Sequence, residues 1–398
     1  MSAPDTAEVV IVGGGLQGCA TAWALARRGI TDVVICERDT VGSGGTGKSS
    51  GVVRCHYGVS SLAAMANAGL ELFENAEQLL GADIGYHRTG YVVGVGEPNV
   101  AALRASLVDQ RAVGVRTEEI DRTDVATLWP TANLDDFAAF AWEPHGGYGD
   151  AYSTAQAFAG YARGQGVRLR QHTSVTEVLA RDGRTTGVRL GDGSTISAPV
   201  VVVAAGPWSV SLLARHGIEL PITVHREQMI VLIDPGTDLG SVPVFSDLVS
   251  LQYVRPEVSG DVLFGNSDLA TLEPADPDRY SNRASERFVD QVVDKVSHRF
   301  PGLAGASIAN TYAGCYDVTP DFNPVISATD VVGLICAAGF SGHGFKISPA
   351  VGELVADLVT GGASANPHVS EADFRLSRFA EGAPLCSPHP YVGAGEMR

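Results

Sequence analysis

Four consecutive β-branched residues, Val9 to Val12, lead into Gly13-Gly-Gly15-Leu-Gln-Gly18 and then an Ala/Leu-rich stretch from Cys19 to Arg28. That order predicts a strand, a glycine turn and a helix. Gly29 stands where a C-cap glycine belongs, and Asp32-Val-Val-Ile-Cys36 reads as a second buried strand ending at Glu37. Together they form one βαβ unit. Further on, Leu62, Met65, Leu70, Leu72, Phe73 and Leu79 recur at helical spacing over 61–81, a strand is expected at 90–95, and 153–164 reads as a helix leading into strands at 167–171 and 175–179. The run Val200 to Ala205 has the all-apolar character of a buried parallel strand. Between 221 and 323 the alternation in 229–233, 250–254 and 262–264 predicts an antiparallel sheet, interrupted by a polar helix near 283–299. Residues 331–338 form another buried strand, followed by a glycine-rich loop over 339–346 and a helix near 349–360. The tail after Gly361 is expected to loop across the surface. Nucleotide-type α/β pieces thus stand at the start, middle and end, which implies a discontinuous first domain with a second one inserted.

The first motif gives this architecture a chemistry. In Gly13-x-Gly15-x-x-Gly18 the first glycine permits the tight turn, the second lets backbone approach a pyrophosphate, and the third lets helix pack on strand. Glu37 is placed to accept hydrogen bonds from a ribose 2′-hydroxyl, and an acid there disfavours a 2′-phosphate. Residues 42–49 match the P-loop pattern GxxxxGK[ST] by letter. Their context does not suit it: no strand leads directly into the loop, no helix start follows, and no metal-binding Asp closes an apolar run. An ATP-hydrolysing protein remains an alternative at this point, but a second glycine loop beside the same dinucleotide fits better.

Composition narrows the class. The 398 residues are 45% apolar and carry a net charge of −17, the wrong sign for gripping nucleic acid or an anionic membrane. No apolar run approaches the roughly 18 residues of a membrane span. Six scattered cysteines without a CxxC pair point to a reducing, cytoplasmic setting, and no His/Cys spacing suggests a metal. The 47 glycines are in excess, yet glycine and proline together stay below low-complexity levels, so specific backbone positions should need them.

Four separated segments, Val52-Val-Arg54-Cys-His-Tyr57-Gly58, Val203-Ala-Ala-Gly206-Pro-Trp208, Gly314-Cys315-Tyr316-Asp317-Val-Thr-Pro320-Asp321 and Ala338-Gly-Phe-Ser-Gly-His-Gly-Phe-Lys346, resemble the FAD-dependent D-amino-acid-oxidase superfamily, in its sarcosine oxidase and glycine oxidase branch. The resemblance runs in order over the chain to about Gly361. It implies an α/β protein with a Rossmann-type FAD-binding domain (1–85, 145–215 and 328–365), an inserted antiparallel-sheet α+β substrate domain (86–144 and 216–327) and a tail at 366–398. It further implies an FAD site drawn from Gly13, Gly15, Leu16, Gln17, Gly18, Glu37, Arg38, Ser49, Ser50, Gly51, Val52, Val175, Ala205, Gly206, Trp208, Gly342, His343, Gly344, Phe345 and Lys346. Cys315 matches the position from which some relatives bond the flavin 8α carbon. Arg54 and Lys346 match the pair that clamps a substrate carboxylate, with Tyr253, Arg255 and Tyr316 as further candidates for the catalytic pocket.

The implied reaction is oxidation of the C–N bond of a small amino acid, a secondary or N-methyl amine such as sarcosine, or a glycine-like or cyclic one, with O2 reduced to hydrogen peroxide. Monomeric sarcosine oxidases carry an oxygen-activating lysine on a central strand of the substrate domain. The corresponding stretch 261–266 has none, which leaves a dehydrogenase using another acceptor as the alternative.

Overall fold

The strand Val9–Val12 is buried at every residue because it is covered on both sides. Val9 and Ile11 face a helical core, whereas Val10 and Val12 face the opposite layer, as a period of two requires. In this computed structural model, which describes residues 5–237, 239 and 242–393, the strand lies inside a six-stranded sheet. The remaining residues, including 1–4 and 394–398 at the ends of the first and last predicted segments, lie outside the described residues. The sheet runs Val325–Ala328, Leu334–Ala338, Val200–Val203, Val9–Val12, Val33–Cys36, Arg168–Arg170, parallel except at its first pair. Helices Leu16–Arg27, Ala151–Gly164 and Gly344–Val359 cover one face, and a four-stranded sheet containing Val175–Arg181 and Arg184–Leu190 covers the other. This is the Rossmann-type layer expected from the alternating strand and helix pattern.

Two helices differ from the expectation. The last one begins at Gly344 and holds Pro349 inside it, five residues ahead of the start expected near 349. Its ring faces Gly69, at which a Cβ would stand 3.5 Å from Pro349 Cδ and 2.5 Å from the Lys346 carbonyl oxygen, so the helix Ser60–Glu74 presses its backbone against this turn. The predicted helix over 61–81 is two helices, Ser60–Glu74 and Ala76–Leu80. They part at Asn75, whose side-chain amide donates to the Glu71 carbonyl at 2.8 Å and competes with the helical ladder.

The second body is a nine-stranded sheet. Its parallel pair, Tyr91–Val95 with Val244–Asp247, joins chain from the two insertions; the other pairs are antiparallel. Helix Glu286–Arg299 packs on it over an aromatic core that includes Trp129, Phe245, Phe264 and Phe300. The long strand Ile308–Val318 pairs with Thr223–Leu232 and carries its last residues back toward the first sheet. Among the described residues, no helix is long and apolar enough to cross a membrane.

Candidate functional site

The strand ends at Val12, Cys36 and Ala204 converge on a cavity of about 680 Å3. Its position, outside the carboxyl ends of a parallel sheet, is the usual ligand position of this architecture. Gly13 has φ of +110°, and a Cβ there would stand 2.4 Å from the Ala204 carbonyl oxygen. Gly13 and Gly15 line the cavity. Gly18 lies behind them and fits helix to turn, since a Cβ on it would stand 2.0 Å from the Gly13 carbonyl oxygen. Gly18→Ala is accordingly expected to lower unfolding free energy by about 1–3 kcal/mol in a denaturant titration. An unchanged midpoint would show that the turn can yield.

Glu37 is held in place by two backbone donors, Gly14 N–H at 2.7 Å and Asp39 N–H at 2.8 Å, and lines the same wall. Arg38 lies 4.1 Å over the Trp208 ring and pairs with Asp278 at 3.1 Å, while the Trp208 indole N–H donates to that carboxylate at 3.0 Å. Arg38 and Trp208 line the cavity with Val175, Ala205 and Gly206.

The P-loop-like segment folds onto that turn. Gly45–Lys48 is a single 3-10 turn, and the Leu16 N–H donates to Thr46 Oγ1 at 3.0 Å. Ser43, Thr46, Lys48, Ser49 and Ser50 line the cavity together with Leu16 and Gln17. Gly51 and Val52 are set back from it: a Cβ on Gly51 would stand 2.0 Å from the Gly149 carbonyl oxygen, and Val52–Val53 pairs with Gly147–Tyr148.

The far end is built by the loop 339–344, where Gly339, Ser341 and Gly342 all have positive φ. Holding the non-glycine Ser341 there is a local strain offset by the hydrogen bonds of its buried hydroxyl, which accepts from Thr319 N–H at 3.2 Å and donates to the Gly339 carbonyl at 3.3 Å. Asp317 accepts the Gly339 N–H at 2.7 Å, and its carboxyl is pushed up to about 6 by burial, against the pull of the loop's backbone donors. The absence of a side chain at Gly342 makes room for the Tyr316 ring. Gly342, Gly344, Phe345, Tyr316 and Cys315 all line the cavity. Burial pushes the Cys315 thiol up to about 11, with Arg226 acting in the opposite direction.

Arg54 and Lys346 are both buried and both approach Tyr57, at 4.3 and 5.9 Å from its ring centroid. His343 packs edge-on against the same ring at 5.2 Å. None of these three lines the main cavity, but Phe345, between His343 and Lys346, does. Tyr253 and Arg255 stand behind the wall: Tyr253 packs beside Met229 and Leu263, and Arg255 donates to the Ser50 carbonyl at 2.5 Å while pairing with Glu257 at 3.1 Å. Their placement supports the loop rather than facing the ligand space.

Sequence reasoning passed over four groups here. Thr46 and Lys48 lie inside the second glycine loop, and Asp317 inside the motif 314–321, so a local signal exists for them. Glu143 had none. It comes from strand Ala139–Glu143, is 3% exposed, and accepts the Cys55 N–H at 2.7 Å through Oε2, while Oε1 has no hydrogen-bond partner among the described residues. Burial pushes its carboxyl up to about 7, with the Cys55 N–H and Arg54 opposing.

A carboxyl raised by folding favours the folded state below its unfolded pKa, and that contribution is lost as pH rises through 7. Glu143→Gln should therefore gain stability over the natural chain between pH 5 and pH 8, measured as a growing difference in Tm. A constant difference would mean that Glu143 stays ionised throughout.

The residues at the cavity fit a flavin dinucleotide. Two glycine loops offer backbone, Glu37 offers an oriented acceptor, and Gln17 Oε1 is a buried acceptor without a partner among the described residues. No cluster of three or more His, Cys, Asp or Glu side chains able to hold a metal occurs among the described residues.

The family model described as DAO, FAD dependent oxidoreductase, matches residues 8–358. The chain is 28% identical over 383 residues to sarcosine oxidase subunit beta of Rhodobacter capsulatus, covering 94% of this chain and 89% of that protein. It is 26% identical over 386 residues to 4-methylaminobutanoate oxidase (formaldehyde-forming) of Paenarthrobacter nicotinovorans; the match covers 95% of this chain but only 46% of that longer protein. Among solved structures, L-proline dehydrogenase from P. horikoshii superimposes with a TM-score of 0.87 at 27% identity, covering 96% of this chain and 100% of the other. Glycine oxidase from Geobacillus kaustophilus does so with a TM-score of 0.80 at 25% identity, covering 94% and 99%.

Proposed function

The chain belongs to the DAO family of FAD-dependent oxidoreductases, and on that premise we propose that it oxidises the C–N bond of a small amino acid, preferentially a secondary or N-methyl amine, with O2 as electron acceptor. The observation that carries this reading is the convergence of two buried cations, Arg54 and Lys346, on Tyr57 beside the loop 339–344. A carboxylate brought to that place gains charge-assisted contacts in a site already shielded from water. Arg54 offers a planar fork and Lys346 a point charge, so the pair fixes both position and orientation.

Bound FAD would supply a two-electron acceptor for the hydride of the carbon next to nitrogen, with O2 as its oxidant. The chain's contribution is placement. Tyr57 and Phe345 exclude water around the amine, and the N-terminus of helix Gly344–Val359 puts positive potential at the cavity's far end, where negative charge would develop. No protein base is needed when the amine binds neutral; orientation carries much of the barrier reduction. Cys315, a cavity-lining thiol, is proposed as a covalent anchor. Its Sγ would bond the 8-methyl carbon, the thiol proton and one methyl hydrogen leaving with two electrons to reduce O2.

A second reading, a dehydrogenase with a different acceptor, is favoured by the strand Val262–Asn266, which holds no lysine, and by the likeness to L-proline dehydrogenase. The test is anaerobic mixing of the yellow protein with a panel of small amino acids, followed by air. Bleaching by N-methyl or cyclic amino acids and rapid recovery with stoichiometric peroxide is the expected result. Slow recovery selects the dehydrogenase, and no bleaching by any carboxylate-bearing amine rejects the substrate class.

A further inference from the structure

Beyond the end of helix Gly344–Val359 the chain does not simply cross the surface. Arg378 is fully buried and pairs with Asp321 at 2.8 Å, and Leu385 N–H donates to the same carboxylate at 2.9 Å. From there the tail returns to the other body. Val392 exchanges two backbone contacts with the Asn99 side-chain amide, at 2.8 and 3.1 Å. Between these anchors Tyr391 is 5% exposed and packs in an apolar cluster with Tyr91 and Leu107.

Its hydroxyl lies 2.8 Å from His56 Nε2, and the two rings are parallel within 1°. The Gln110 amide nitrogen, a donor only, faces both His56 Nδ1 at 3.3 Å and the Tyr57 carbonyl at 3.1 Å. Turning that amide over would set two acceptor oxygens against each other. His56 Nδ1 is therefore the acceptor, and Nε2 carries the hydrogen and donates to Tyr391. The His56 carbonyl in turn accepts from the Arg54 guanidinium.

We propose that Tyr391 is a positioning residue for the substrate clamp: the C-terminal tail, by holding the His56 ring, fixes the backbone carbonyl on which Arg54 rests, and so completes the carboxylate site. The inference rests on the clamp reading of Arg54. It assigns the tail a part in substrate affinity, with no contact to the reacting atoms.

The experiment uses the full-length holoprotein and two probes, acetate and neutral acetamide, each titrated against the flavin absorption band, together with KM and kcat for the best amino acid found. Tyr391→Phe keeps the ring and loses the hydrogen bond; it should weaken acetate binding and raise KM by about 5-fold, with kcat changed less than about 2-fold. Asn99→Ala frees the tail without touching the clamp and should move the same quantities in the same direction. Acetamide affinity and flavin content should stay near those of the natural chain in both variants. A Tyr391→Phe protein with unchanged acetate affinity overturns the proposal, as does an equal loss of acetate and acetamide affinity accompanied by a fall in Tm, which marks a merely structural role. Should Tyr391→Phe not accumulate, Asn99→Ala decides by the same criteria. Arg54→Ala separates the premise: acetate affinity unchanged in that variant removes the clamp itself, whereas loss there with none in Tyr391→Phe removes only the tail's part.

Discussion

Replacing Arg54 by alanine is expected to lower kcat/KM for the amino acid by roughly 10^3-fold, most of it through KM. Arg54 is 7% exposed, so a carboxylate meeting it exchanges water for a dry, charge-assisted contact. Removing one partner of such a buried pair costs about 3–5 kcal/mol, and 1.4 kcal/mol is tenfold in rate or affinity. Lys346→Met should act in the same direction with a smaller loss, since a point charge holds orientation less strictly than a planar fork. Neither side chain lines the cavity proposed for the dinucleotide, so flavin content should remain. The measurement is steady-state kinetics on flavin-loaded protein. A collapse of kcat with KM untouched would contradict a binding role and turn attention to a function in the chemical step.

Acid precipitation of the natural protein is expected to leave its yellow colour in the pellet, and Cys315→Ala should move all of it into the supernatant. This is the largest all-or-none difference anticipated for a single substitution. Cys315 lines the cavity and is only partly buried, which leaves its thiol open to the ligand space. The raised thiol pKa, about 11, means that little thiolate exists at neutral pH before the cofactor binds. Attachment should therefore be slow and accelerate with pH, which incubation of flavin-free protein with FAD at pH 7 and pH 9 would measure. Colour released from the natural protein after prolonged incubation at pH 9 leaves Cys315 as an ordinary cavity-lining residue.

The opening βαβ unit was legible because its signals are local. The glycines of the first turn, the all-apolar strands and Glu37 lie within thirty residues or so of one another, and each reports a backbone requirement directly. The glycine contacts bear this out: Gly13 and Gly18 stand against carbonyl oxygens at distances no Cβ allows. That separated segments share one cavity was legible for a different reason, because four motifs resembled one family. The placement of Tyr253 and Arg255 was not. Residue type and sheet alternation put them on a strand but cannot tell which sheet face meets a loop from the other body, and Arg255 spends its donors on the Ser50 carbonyl, the Pro256 carbonyl and Glu257.

By itself, then, the sequence determined the elements and the chemistry they could serve: a dinucleotide turn, an α/β framework with an inserted sheet, and two basic residues at motif positions. Periodicity and glycine placement are properties of neighbouring residues, and short-range sterics enforce them whatever the rest of the chain does. Only the tertiary structure decided which groups share a site. It brought Arg54 and Lys346, almost three hundred residues apart, to one tyrosine ring, set Glu143 beneath Cys55, and returned Tyr391 from the tail to His56. Those encounters follow from packing two sheets and the returning tail against one another, a cooperative outcome with no marker in any single segment.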